Sequence, residues 1–257
     1  MLELYNFAQS TCSLKVRIGL AEKGVEWVDR RLVSKDEDHL SDWYLKLNPN
    51  GVVPTLVHDG VPIIESSVIL QYLDEVFPEP PLVPSDPARR AALRTWLSFV
   101  DQVPTPAVRY PSFQFGGLRK KFEAFTPEEF AAKARKRPLK SAFYEKMSNG
   151  GFTEEEIARS LDDIRKTAAR MDKTLAEGGP WLLGFYSIAD IAVAPLIDRM
   201  EDLGFAHLWE DDHPRVAEWL ARMQRRRAYG VAYYEGTRLS QIYPELGLGR
   251  DAASRPG

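Results

Sequence analysis

Residues 2–24 read LELYNFAQSTCSLKVRIGLAEKG. Leu2 and Leu4 alternate with Glu3, and Tyr5 continues a β-favouring run, so the segment opens as a short strand. Gln9-Ser10-Thr11-Cys12-Ser13 then places hydroxyls and a thiol where a helix begins. Leu14, Val16, Arg17, Ile18, Leu20 and Ala21 keep helical spacing until Gly24 stops it. A helix start carries unpaired N–H groups and the positive end of the dipole, which favours an anion. Redox proteins place Cys-x-x-Cys there because the helix end lowers a thiol pKa. Here the same spacing is Ser10-x-x-Ser13. A hydroxyl does not ionise, but it can donate to a thiolate brought in by a ligand. The plain alternative is that Ser13 only caps the helix.

Outward from this stretch, Glu26 to Leu32 reads as a second strand and Asp36 to Leu47 as a short helix. Asn48-Pro-Asn-Gly-Val-Val-Pro54 is a turn-rich connection. Thr55 to His58 and Val61 to Ile64 flank Asp59-Gly60, a two-residue hairpin signal. Glu65-Ser66-Ser67 opens an apolar helix ending at Val76. The order β-α-β-α-β-β-α over residues 1–78 makes a compact α/β unit. Pro78, Pro80, Pro81, Pro84 and Pro87 then crowd one segment, so residues 79–87 read as a linker. The remainder, 88–248, reads as all-α. Arg89 to Val103 is helical, and Pro104, Pro106 and Pro111 break or kink the helix beyond it. Tyr110 to Gly150 mixes aromatic and basic residues and predicts helical pieces with a mobile loop. Glu154 to Leu175 is amphipathic. Ser187-x-x-Asp190 is a capping box before an apolar, buried helix. Pro214 to Arg226 is a last amphipathic helix, and 249–257 is expected to be disordered. The fold class is α+β.

Composition bounds the function. The 257 residues are 44% hydrophobic and 28% charged, with a net charge of −3, so nothing pushes the chain toward nucleic acid or a membrane surface. No apolar run approaches the roughly 20 residues of a membrane span. The start lacks the basic-then-apolar pattern of a secretory signal. The single cysteine excludes an internal disulfide framework, and a cytoplasmic location is expected. His39, His58, His207 and His213 show no ligand spacing, so no metal is expected.

Together these pieces resemble a cytosolic glutathione transferase, with a thioredoxin-like first domain and a helical second one. Ser10-Thr-Cys-Ser-Leu-Lys-Val-Arg-Ile18 is similar to the zeta-class S-S-C-S-x-R-V-R-I signature, which nominates Ser10 for thiol activation. His39-Leu-Ser-Asp42 resembles the theta-class stretch whose histidine contacts the glycyl end of glutathione. Val53-Pro54 matches the family's cis-proline, which lets the Val53 backbone pair with the cysteinyl part of the tripeptide. Glu65-Ser66 matches the pair that holds the γ-glutamyl group: Glu65 would meet its ammonium, and Ser66, at a helix start, its carboxylate. A family lysine before Val-Pro is absent, since Gly51 and Val52 stand there. Homodimerisation is implied by the resemblance alone.

Ser41-Asp-Trp-Tyr44, Leu47-Asn-Pro, Val57-His-Asp-Gly60, Glu75-Val-Phe-Pro-Glu79 and Ser148-Asn-Gly-Gly-Phe152 resemble bacterial glutathione-dependent β-etherases, which cleave β-aryl ethers of lignin-derived compounds. In that branch Ser13 rather than Ser10 faces the thiolate, and the reading leans to Ser13 while keeping both. The implied chemistry is thiolate attack on a carbonyl-activated carbon bearing an aryl ether. A free thiol of pKa about 8.5 is little ionised at neutral pH, so a hydroxyl donor and a helix start would help. Tyr110, Phe113 and Phe115 would wall an aromatic substrate pocket, or else pack helices. Cys12, beside the pocket, is either an inert buried thiol or a partner for a mixed disulfide. Two alternatives stand beside the transferase. One is a maleylacetoacetate-type isomerase, against which Thr11 replaces the second serine. The other is a non-catalytic binder of glutathione or a hydrophobic ligand.

Overall fold

Strand β1 (Leu2–Asn6) lies between β2 (Val28–Arg31), with which it is parallel, and β3 (Thr55–His58), with which it is antiparallel. β4 (Val61–Ile64) completes the sheet in the order β2-β1-β3-β4. The computed structural model describes residues 1–34, 37–120, 125–138, 140–148 and 151–249. The expected disorder of 249–257 therefore falls almost wholly outside the described residues, as do part of the loop expected between 110 and 150 and Asn149-Gly150 of the Ser148–Phe152 motif. The hairpin turns where Asp59 and Gly60 both take positive φ, at 49° and 85°, as its type requires.

α1 (Thr11–Lys23) runs from Ser10 to a left-handed Gly24. The helix is buried on nearly every side, from Ser13 through Leu20. Val16 and Leu20 join Leu4, Leu56, Ile69 and Leu73 against the sheet. Leu14 and Ile18 belong instead to the core of the helical half. Lys15 and Arg17 are consequently buried as well, and each must find partners. The expected helix over 36–47 divides at Ser41 into a single 3-10 turn, Asp38–Leu40, and α2 (Asp42–Leu47). Asp36 lies outside the described residues. α3 (Ser66–Val76) covers the other flank of α1.

In the helical half, α4 (Pro87–Gln102) begins at the last proline of the connecting segment, which takes the first helical turn where its missing N–H costs nothing. The prolines beyond it cut the chain into α5 (Pro104–Ala107) and α6 (Arg109–Gln114). α7 (Pro127–Arg135) and α8 (Ser141–Ser148) form a small hairpin past them. α9 (Glu154–Gly178) carries a capping box between Thr153 and Glu156. α10 (Ile188–Asp202) is buried along its length behind the Ser187–Asp190 box. α11 (Pro214–Gln224) ends two residues early, and α12 (Arg227–Ala232) and α13 (Leu239–Ile242) had no signal in the sequence pattern. No described helix is long and apolar enough to cross a membrane.

Candidate active site

The loop between β1 and α1 is held by two guanidinium groups. Arg17 Nη1 donates to Asn6 Oδ1 at 2.7 Å and Nη2 to the Ala8 carbonyl at 2.6 Å. Arg199, from α10, donates to the Gln9 carbonyl at 2.6 Å. Burial of these arginines lowers the pKa of each, yet both remain cations, as guanidinium does in proteins. The loop therefore delivers Ser10, Thr11 and Cys12 to one cleft. Ser10 caps α1, its Oγ accepting the Ser13 N–H at 3.3 Å. That bond uses the oxygen and leaves the hydroxyl hydrogen to donate elsewhere.

Ser13 has a different place. Its side chain is fully buried, it does not line the cleft, and its Oγ has no hydrogen-bond partner among the described residues. The serine that faces the cleft is Ser10, against the lean toward Ser13. Packing on every side of α1 is the reason.

The second wall carries His39, Val52 and Val53, and the Val53–Pro54 peptide is cis. Arg137 Nη2 donates to His39 Nε2 at 3.1 Å. With Nε2 accepting, the neutral ring carries its proton on Nδ1. Phe7 packs edge-on to the same ring.

Glu65 holds a φ of 67°, a left-handed conformation that costs a non-glycine residue roughly 1–3 kcal/mol. The strain turns the chain sharply into α3, so Ser66 and Ser67 start that helix beside the cleft. The Ser66 hydroxyl is close enough to the Cys12 thiol to favour its ionised form. Ser67 donates to Asp101 at 2.9 Å, and Asp101 also lies 3.7 Å from Lys15 Nζ.

Burial pushes the Cys12 thiol up, but Lys15, Arg109, Lys140 and the Ser66 hydroxyl outweigh it, and the net shift is downward. Lys140 itself is pulled down to about 8, by burial first and then by Arg109. The site is thus electropositive around the helix start.

The aromatic expectations divide. Phe113 lines the cleft, joined by Tyr144. Tyr110 instead packs on Phe143 and Phe152 and lines a separate outer hollow. Phe115 is against Phe205 in the helical core, away from the cleft. Arg109, Arg137, Lys140 and Arg199 were not singled out in the sequence. The basic content of 110–150 was the visible signal for two of them, but nothing in it said which residues turn inward. Among the described residues no group of three or more His, Cys, Asp or Glu is placed to hold a metal ion.

The fold and this cleft define a thioredoxin-like domain joined to a helical one. Residues 9–76 match the family described as glutathione S-transferase, N-terminal domain, and residues 154–222 the corresponding C-terminal domain. Protein LigF of Sphingobium sp. strain SYK-6 is 34% identical over 239 residues, covering 88% of this chain and 91% of that one. The crystal structure of β-etherase LigF from that strain superposes with a TM-score of 0.82 at 31% identity, over 90% of this chain and 98% of that one. A tetrachloro-p-hydroquinone reductive dehalogenase of Sphingobium chlorophenolicum is 28% identical over 90% of this chain and 95% of its own. A maleylacetoacetate isomerase of Pseudomonas aeruginosa is 43% identical, but over only 36% of this chain and 45% of its own. The chain belongs to the glutathione transferase family, and it is a glutathione-dependent transferase.

Proposed function

We propose that this transferase cleaves β-aryl ethers activated by a neighbouring carbonyl, with glutathione as the nucleophile. The likeness to a β-etherase over about nine-tenths of the chain carries the reading, because it takes in the helical domain as well as the first one. In this reading residues 1–78 bind glutathione and residues 88–248 supply the side facing the second substrate. Val53 offers its backbone to the cysteinyl part of the tripeptide, His39 meets the glycyl end, and Glu65 and Ser66 meet the γ-glutamyl end. The Ser10 hydroxyl donates to the sulfur and, with the α1 N-terminus, keeps it ionised. Phe113 and Tyr144 face the aryl group. A cytoplasmic setting suits the reaction because glutathione is kept reduced there.

The test is release of phenol from a keto β-aryl ether by the purified protein, with and without glutathione. Release that needs glutathione is the expected result. Turnover of maleylacetoacetate instead would favour the isomerase, whose likeness covers only the first part of the chain. Retention on a glutathione matrix without turnover would favour a binder.

A second reading rests on Cys12, a thiol in the cleft among three cations. It would exchange with a glutathione adduct through a mixed disulfide, a reductive chemistry of the kind named for the dehalogenase relative. Mass analysis after oxidised glutathione would detect the adduct, and a Cys12→Ala protein would not form it.

The protein is further read as a homodimer. Val61, Val68 and Val76 stand 62%, 51% and 40% exposed on β4 and α3, apolar surface that a second copy would cover. Sedimentation would find a single species of twice the chain mass.

A further inference from the structure

Arg109 and Lys140 are two cations at the cleft that have no ion-pair partner among the described residues. Both lie between the ranges matched by the two family domains, 9–76 and 154–222. Arg109 opens α6, and Lys140 sits in the turn between α7 and α8. Both line the cleft beside Cys12 and Phe113, and both stand in the wall it shares with the outer hollow.

Two buried cations near the site do have partners. Lys15 Nζ donates to Thr105 Oγ1 at 3.0 Å and lies near Asp101. Arg137 donates to the Lys133 carbonyl at 3.0 Å, bonds His39 and lies 3.7 Å from Glu37. Among the described residues, neither the Arg109 nor the Lys140 side chain makes a hydrogen bond or an ion pair. Both are half-buried at the cleft wall, and neither is held by an ion pair, so a negative charge arriving with substrate, or generated on it, is the natural complement.

The aryl ether reaction generates such a charge. As sulfur attacks, its negative charge disappears and reappears on the departing aryl oxygen. A group gains rate only if it serves that later charge better than the earlier one. Lys140 can give up a proton, whereas guanidinium cannot.

We propose that Lys140 protonates the aryl oxygen as it leaves, while Arg109 stabilises the negative charge developing there. The inference rests on the β-aryl ether reading. The sulfur electron pair forms the C–S bond, the C–O pair departs on oxygen, and a proton from Lys140 Nζ makes that oxygen a phenol. The neutral amine then regains a proton from water, equal to the one released when the glutathione thiol ionised. Nothing is oxidised or reduced. The groups facing Lys140 fit this duty: burial and the charges of Arg109 and Arg137 hold it at about 8 against Cys12 and Glu65, which pull the other way. A donor near that value is protonated at neutral pH and still acidic enough to give its proton.

Two keto ethers that differ only in the leaving group test it, one releasing a methoxyphenol and the other a nitrophenol. A nitrophenolate departs without help. Lys140→Met is expected to lose roughly 10²-fold in kcat on the methoxyphenol ether, and at least about tenfold less than that on the nitrophenol ether. Lys140→Arg keeps the charge but cannot transfer a proton, and is expected to stay slow on the first ether. The wild-type protein gives an independent result that needs no variant to fold. Its kcat on the methoxyphenol ether should fall above about pH 8, and that limb should be absent with nitrophenol. Equal losses on both ethers, parallel pH profiles, or an effect confined to the KM for glutathione would overturn the role of Lys140 and leave ether cleavage standing. Failure of the wild type to cleave either ether would remove the reaction itself, and the Lys140 role with it.

Discussion

Ser10 and Ser13 lie three residues apart and meet opposite environments. Ser10 Oγ accepts one N–H and still has its hydrogen to give toward the cleft, whereas Ser13 Oγ is enclosed in the interior. Ser10→Ala is therefore expected to cost roughly 10²-fold in kcat/KM, as loss of one donor to a developing or resident anion does. It should also cost about 1 kcal/mol of stability through the lost cap. Ser13→Ala keeps the backbone N–H and should leave kcat/KM within about threefold of wild type, since it touches no reacting atom. Steady-state kinetics of the two variants separates them. Cys12 is the other residue whose surroundings set its chemistry. Only the thiolate is alkylated, so a lowered pKa moves the midpoint of the rate–pH curve below that of an ordinary thiol. Lys15→Met removes a cation that lowers it, and iodoacetamide kinetics should show that midpoint rising.

Among the elements, α10 is anchored at its start by the Asp190 side chain. Asp190 accepts from Leu182 N–H at 3.1 Å, from Trp219 Nε1 at 2.9 Å and from Ser187 N–H at 3.1 Å, all in the interior. Asp190→Ala strands these donors, at roughly 1–3 kcal/mol for each one left unsatisfied, so a loss of about 3 kcal/mol or more is expected. Ser187→Ala should cost about 1 kcal/mol. Urea unfolding measures both. Burial raises the Asp190 carboxyl to about 6, against 3.8 for an ordinary one. The folded state then holds that proton more firmly than the unfolded chain does. The stability Asp190 contributes is therefore fully present below about pH 4 and declines as pH rises toward 6. The gap between wild type and Asp190→Ala should narrow over that interval.

At the scale of the whole molecule, the cleft exists because α7 and α8 reach back across the first domain. Lys133 pairs with Glu37, and Arg137 bonds His39 and lies over the Tyr144 ring. These contacts orient a residue of the first domain from the second. Arg137→Met should free the His39 ring and raise the KM for glutathione about fivefold, the equivalent of one hydrogen bond near 1 kcal/mol. The kcat should change less if, as proposed, the ring meets the glycyl end of glutathione rather than its sulfur. Separate titration of glutathione and ether would show the split.

Strands, hairpin, capped helices and the family itself were legible from the residues alone, because each depends on local spacing: alternation in Leu2–Tyr5, Asp59-Gly60 between two apolar runs, Ser187-x-x-Asp190 before an apolar helix. The hydroxyl-rich start of α1, Val53-Pro54 and Glu65-Ser66 could be nominated as candidates from local spacing in the same way, and of these Ser10, Thr11, Cys12 and Val53 line the cleft. What only the tertiary structure decided is which side chains face the cleft. Ser10 and not Ser13, and Phe113 and not Phe115, turn toward it because α1 and the helical core are packed on all sides. Arg109, Arg137, Lys140 and Arg199 enter the site from helices far along the chain. Charge and burial act through space, and the sequence order of a cation says nothing about which thiol or carboxylate it will stand beside.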